Sequence, residues 1–364
     1  MLTRRRLFGA AALAGLGTAV LAIGLGAVPL DARAAAKEIR VLNWQGYGTD
    51  ETWATDIFEK KTGYKVVHDY FTSEQEMLTK LRTAPGTYDV VLMNSTYVPQ
   101  AIKEGLVQPI DPAKITNFKD LTPALRDSPL FVSDGKHWAV SWVWGMTAMS
   151  ANKDKVQPAP DSLEALWDPK HAGKVSIRDD SWEAVHWAAL ATGQDMSDPA
   201  DLAKVKEKLM ALKPQIRMLW TSEDDWNKAM QANQFDVATY WVSAVWRAQR
   251  KFNLPVELVI PKEGVIGWFD GLTVAKDAPH ADVAQQFIDF MVSPEFYVKW
   301  ETDVGAPISA NAAADAQLPA TDPSKALVAD KAVMDRVHFV HPISDERKKE
   351  FQEMWDEVKA YYAK

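Results

Sequence analysis

Residues 37–95, KEIRVLNWQGYGTDETWATDIFEKKTGYKVVHDYFTSEQEMLTKLRTAPGTYDVVLMNS, decide the fold. KEIRVLNW alternates apolar and polar side chains as a half-buried strand does and ends at Trp44. QGYGTD is a loop, and DETWATDIFEKKTG has the apolar spacing of an amphipathic helix that stops at Gly63. YKVVHDYF is a second strand. SEQEMLTKLRTA is a second helix, opened by Ser73 with Glu76 three residues on, a pairing that satisfies unpaired amides of a first turn. YDVVLMNS is a third strand. Parallel neighbours need crossovers, so this β-α-β-α-β order predicts a largely parallel sheet with helices on both faces. Ligands of such sheets collect beyond the C-terminal strand ends, where Trp44 and residues 94–97 fall.

Beyond this unit, HWAVSWVWGMTAMSANKD reads as a long strand that leaves it, and a second α/β set follows. SLEALWD, SWEAVHWAALAT, ADLAKVKEKLMALK and EDDWNKAMQANQ have helical spacing, whereas GKVSIRDD, FDVATYWVS and LPVELVIP read as strands. The chain then returns through GWFDG to two more helices, ADVAQQFIDFMV and SPEFYVKWETDVG. The crossings fall near residues 145–150 and 264–272. With 364 residues and 47% hydrophobic side chains, two packed lobes are expected.

The formal charge of −8 and the lack of a basic stripe exclude nucleic acid as a partner. Cysteine is absent, which excludes disulfides, thiolate metal sites, cysteine nucleophiles and a lipid-bearing N-terminal cysteine. Residues 1–34 have a basic start with Arg4 and Arg5, a Gly/Ala-rich apolar run, a break at Pro29, and small residues at Ala32 and Ala34. This is the pattern of an export signal of the twin-arginine kind. Its removal takes away Arg4, Arg5, Arg6, Arg33 and Asp31 and leaves a more acidic mature chain.

GWFDG, residues 267–271, places Trp268 and Asp270 on one face of an extended segment, with flanking glycines that leave room for an approaching group. Trp44, Trp241 and Trp268 each stand at a strand end beside turn residues, where an aromatic face serves a ligand. Trp53, Trp167, Trp187, Trp226 and Trp300 hold helical positions that predict packing. Asp179 and Asp180 precede a helix, so one can cap it, while Asp180 and Glu183 at spacing three present two carboxylates to the same side. The seven histidines show no metal-ligand spacing, no nucleophile elbow or phosphate loop is present, and no cofactor is implied. An indole attracts a cation through its quadrupole and a carboxylate adds a charge-assisted hydrogen bond, so together they select an organic ammonium. The enzymatic alternative is a glycoside-type hydrolase that uses Asp180 with Asp270 as paired acids.

VLNWQGYGTDETWATDIFEKKTGYKV, YDVVLMNSTYVPQAIKEGLVQPID and PKEGVIGWFDGLTV resemble the corresponding segments of bacterial periplasmic spermidine/putrescine-binding proteins, the receptors of polyamine ABC importers. The resemblance implies an α/β fold of two lobes, the type II periplasmic binding protein fold, each lobe a mostly parallel sheet flanked by helices and joined by a crossing hinge. Residues 37–147 with 269–314 would form the first lobe, and 148–268 with 315–364 the second. It further implies a monomeric periplasmic receptor that hands an aliphatic di- or polyamine to an inner-membrane permease. Its site would comprise Trp44, Tyr47, Ser95, Tyr97, Asp180, Glu183, Trp241, Trp268 and Asp270. Departures from the family pattern at Gly46, at Ala306 before Pro307, and in VHFVHPIS open one side of this box and favour a longer amine over putrescine. Another organic cation such as thiamine, or a zwitterion such as 4-aminobutyrate, is the alternative ligand.

Overall fold

The computed structural model describes residues 37–364, and the export signal expected over residues 1–34 lies outside the described residues. The first unit runs β1 (Glu38–Asn43), α1 (Thr52–Thr62), β2 (Lys65–Tyr70), α2 (Glu74–Thr83) and β3 (Val90–Asn94). β1 pairs parallel with both β2 and β3. α1 ends because Gly63 adopts φ 76°, from which its amide reaches Glu59 O. α2 starts at Ser73, whose Oγ accepts from the Glu76 amide at 3.2 Å. Glu76 reaches back one residue further than the reciprocal pattern predicts, accepting from the Thr72 amide at 2.8 Å.

β4 (Val140–Asn152) is buried along all 13 residues and carries the chain into the second half. That half is built from β5 (Val175–Arg178), α3 (Ser181–Ala191), α4 (Leu202–Ala211), β6 (Ile216–Trp220), α5 (Glu223–Gln231), β7 (Val237–Trp241), α6 (Val242–Phe252) and β8 (Val256–Val259). The helix expected over SLEALWD is only a 3-10 turn, Leu163–Leu166. β9 (Val265–Ala275) returns antiparallel to β4, followed by α7 (Ala281–Met291), α8 (Pro294–Asp303) and, last, α9 (Asp345–Tyr362). The strand order β2-β1-β3-β9-β4-β7-β5-β6 makes one continuous sheet. Its two ends pair in parallel, and β4 with β9 forms the antiparallel middle.

One apolar cluster gathers Ile39, Val41, Val90, Leu92, Trp142, Phe287 and Phe296 on the first half, and two smaller ones fill the second. The passage to the second half comes later than residue 315. Leu318 belongs to the first cluster, and Leu327, Val328 and Met334 pack against it, whereas Val340 and Ile343 join the second. The halves touch on both flanks of the cleft. Tyr97 meets Trp182 at 5.9 Å between ring centroids, and Lys348 Nζ donates to Gln100 Oε1 at 3.0 Å. On another side Arg250 pairs with Glu301 at 3.1 Å, and Arg247, held by Glu223, donates to Gly305 O.

Candidate functional site

β9 positions the first-lobe part of the site. Asp270 is 7% exposed, and its carboxylate accepts from Tyr47 Oη at 3.0 Å and from Asn94 Nδ2 at 2.9 Å. Asn94 faces Asp270 across the antiparallel β3/β9 pair, and its Oδ1 caps the 3-10 turn Ser95–Tyr97. Both Asn94 amide ends are therefore committed, which fixes the donor aimed at Asp270. Burial pushes the Asp270 carboxyl up to about 6, and the two donated hydrogen bonds oppose it. Burial, then the Asp270 charge, also holds the Tyr47 hydroxyl well above its ordinary value. The Tyr47 ring stands edge-on to Trp142 and Trp300 at 5.5 and 6.1 Å.

Trp268 pairs in register with Gly145, and its indole lies so close that a Cβ at position 145 would come within 2.6 Å of the ring. The indole Nε1 is buried without a hydrogen-bond partner among the described residues. The glycines flanking Trp268 and Asp270 have a different use from the one the sequence suggests. A Cβ at Gly267 would meet Val337 at 2.6 Å, and one at Gly271 would meet Phe131 at 2.7 Å, so both admit packing side chains rather than a ligand.

Glu74, the first residue of α2, is a carboxylate that sequence reasoning missed. Its Oε2 is buried with no partner among the described residues, and the carboxyl is pushed up to about 8 by burial and then by the charge of Asp270, with the Asn94 backbone amide opposing the rise and the charge of Asp180 adding to it. A signal was present: Glu74 follows the capping serine at the C-terminal edge of the sheet, where the first turn of a helix faces the ligand end. Tyr97 is buried over the same place, its hydroxyl raised by burial first and then by Glu74 and Asp180. Ser95 is buried at the start of the 3-10 turn, and Trp44 is half-buried with its ring against Phe71 at 4.5 Å.

Across the cleft, Asp180 caps α3 by accepting from the Glu183 amide at 3.0 Å. Glu183 is 6% exposed, accepts from Thr239 Oγ1 at 3.1 Å and Trp187 Nε1 at 3.4 Å, and is pushed up to about 7 by burial against the opposing charge of Arg178. Arg178, the last residue of β5, is the second functional candidate that sequence reasoning passed over. Its Nη1 lies 3.6 Å from Glu183 and 3.9 Å from Asp180, and its guanidinium covers the Trp241 ring at 5.0 Å. The Trp241 face expected to receive a ligand thus carries a cation of the protein itself. Asp179 points elsewhere, accepting from Trp355 Nε1 at 2.8 Å and pairing with Lys359 at 3.0 Å.

The tryptophans assigned to packing do pack. Trp53 stacks on Phe296, Trp226 on Tyr240 at 3.8 Å, and Trp300 on Trp142 at 5.2 Å, while Trp187 is buried and Trp167 Nε1 donates to Lys208 O. Of the departures from the family pattern, Gly46 has open space where a Cβ would be. Ala306 is buried, its amide donating to Glu301 Oε2, so no opening lies there.

Residues 53–332 match the family model of the bacterial extracellular solute-binding proteins. The chain belongs to that family. This is a family of solute-binding proteins outside the cytoplasm, not of enzymes. The spermidine/putrescine-binding periplasmic protein of Salmonella typhimurium is 29% identical over 79% of this chain and 82% of its own length. The putrescine-binding periplasmic protein of Escherichia coli is 29% identical over 76% of this chain and 78% of its own. A solved structure described as a putative spermidine/putrescine ABC transporter from Listeria monocytogenes superposes with a TM-score of 0.78 at 24% identity, covering 90% of this chain and 100% of that one. The fold is therefore the two-lobed α/β fold of solute-binding proteins.

Proposed function

We propose that this solute-binding protein captures an aliphatic di- or polyamine between its lobes in the periplasm, as a monomer and without catalysing a reaction, and presents it to an ABC importer. The observation that carries this reading is the buried Oε2 of Glu74, without a partner among the described residues and within the field of Asp270. Two carboxyls pushed above their ordinary range within one site are stabilised by a cation, and an ammonium supplies both the charge and a donor for the unpaired Glu74 oxygen. The Trp268 and Trp44 rings add flat apolar walls for methylenes, and an indole face contributes about 0.5–2 kcal/mol toward a cation. The relatives whose names state spermidine or putrescine binding support the same ligand class.

Mass spectrometry of the compound that copurifies with native protein tests the reading directly. An aliphatic amine, displaced by added putrescine or spermidine, is the expected result. A copurifying sugar or peptide, with no amine binding to stripped protein, would overturn it.

A further inference from the structure

We infer that Arg178 is a resident cation occupying one ammonium position of the cleft, so that the site takes a diamine in preference to a triamine. This rests on the amine reading above and specifies it. The guanidinium lies over Trp241 at 5.0 Å and within salt-bridge distance of both Glu183 and Asp180. It thereby engages the three groups that the second lobe would otherwise offer to a ligand ammonium: an aromatic face and two carboxylates. Its side chain is 26% exposed, so the charge is only partly screened by water.

Counting charges gives the capacity of the cleft. In the second lobe Arg178 offsets one of the two carboxylates, which leaves a single net negative charge there. In the first lobe Asp270 already accepts from Tyr47 and Asn94, and the buried Oε2 of Glu74 is the carboxylate oxygen there left without a donor among the described residues. One position for an ammonium remains there as well. The nearby cation Arg247 is spent on Glu223 and Gly305 O and does not alter the balance. A diamine therefore matches the cleft with one ammonium toward each lobe. A triamine brings a third charge that meets the guanidinium of Arg178 instead of a carboxylate. Arg178 thus argues against the longer amine that the pattern at Gly46 and Ala306 suggests, and buried Ala306 offers no room for it.

The test is a set of calorimetric titrations of ligand-stripped protein with putrescine, spermidine and 4-aminobutyrate, on the wild type, Arg178→Met and Arg178→Lys. Wild type is expected to bind putrescine at least about tenfold more tightly than spermidine, because like charges in a desolvated site repel. Arg178→Met should shift the ratio toward spermidine by about tenfold or more, and Arg178→Lys, which keeps the charge, should retain the diamine preference. Spermidine bound as tightly as putrescine by the wild type overturns the inference even if Arg178→Met fails to fold. So does a ratio unchanged within about twofold in a folded Arg178→Met protein. Tightest binding of 4-aminobutyrate, lost in Arg178→Met, also overturns it, because the guanidinium would then receive a carboxylate. Binding of no amine to any form is a separate result, which removes the amine reading itself.

Discussion

The indole of Trp268 lies against Gly145 so closely that even a methyl group on the glycine would come within 2.6 Å of the ring edge. Gly145→Ala must therefore tilt Trp268 out of its position. Amine affinity is expected to fall by about 1–2 kcal/mol, within the usual cost of overpacking. Gly271→Ala is the control, since its Cβ would press on Phe131 and Ala139 instead. It should lower the melting temperature with less effect on affinity, and equal affinity losses in the two variants would disprove the assignment of Trp268 to the ligand wall.

Asp270→Asn removes the ionic partner while keeping an acceptor for Tyr47 and a similar shape. The expected loss is on the order of 2–4 kcal/mol of amine affinity with little change in folding stability. Affinity unchanged within about twofold would rule out Asp270 as the ammonium partner.

Tyr47→Phe deletes one of the two hydrogen bonds that hold the Asp270 carboxyl down against burial. The carboxyl should then rise further above its ordinary range, and the pH at which amine affinity is lost should move upward. A parallel loss at all pH values would instead mean that the Tyr47 hydroxyl contacts the amine.

Acidity gives a further check. Burial pushes Asp270 to about 6, Glu183 to about 7 and Glu74 to about 8. The unfolded chain releases the same protons near about pH 4, so between about pH 4 and pH 8 the folded protein holds more protons than the unfolded one. The stability these groups contribute therefore falls as pH rises through that window. An ammonium acts in the opposite direction, because it favours the ionised carboxylates. Binding should expel protons at neutral pH and tighten as pH rises from about 6 to 8. Titrations in buffers of different protonation enthalpy count the protons released, and the amine-induced rise in Tm should be larger at the alkaline end.

Tyr97 with Trp182 and Gln100 with Lys348 bring the lobes together over the site. The charge of Asp180 opposes ionisation of Glu74 across it, so the carboxylates of the closed site are held charged only with a cation between them. Small-angle scattering of stripped protein is expected to give a larger radius of gyration than the amine complex. Equal radii at saturation would sink the closure account.

The strand and helix order of residues 37–95 was legible because each element there obeys a local rule: alternation, a capping serine, a stop at Gly63. The long crossing strands were legible too, as uninterrupted apolar runs. Glu74 was not, because the first residue of a helix is ordinarily solvated, and only the fold turns this one toward Asp270. Arg178 was hidden differently. Beside Asp179 and Asp180 it reads as local charge balance, and its position over Trp241 depends on β5 and β7 becoming neighbours in the sheet. The flanking glycines of GWFDG misled because their missing side chains make room for Phe131 and Val337, which lie far away in sequence.

The continuous sheet has a consequence for the order of events in capture. Trp268 and Asp270 ride on β9, which pairs with β3 on one side and β4 on the other, so a swing of the lobes about these central strands would displace them least. Asp180 and Glu183 sit beyond β7, out along the arm that such a swing would carry. An incoming amine would then meet a nearly stationary anchor first and a travelling clamp second. Substitutions at the buried anchor, like those on the arm, should register chiefly in the time a captured molecule stays.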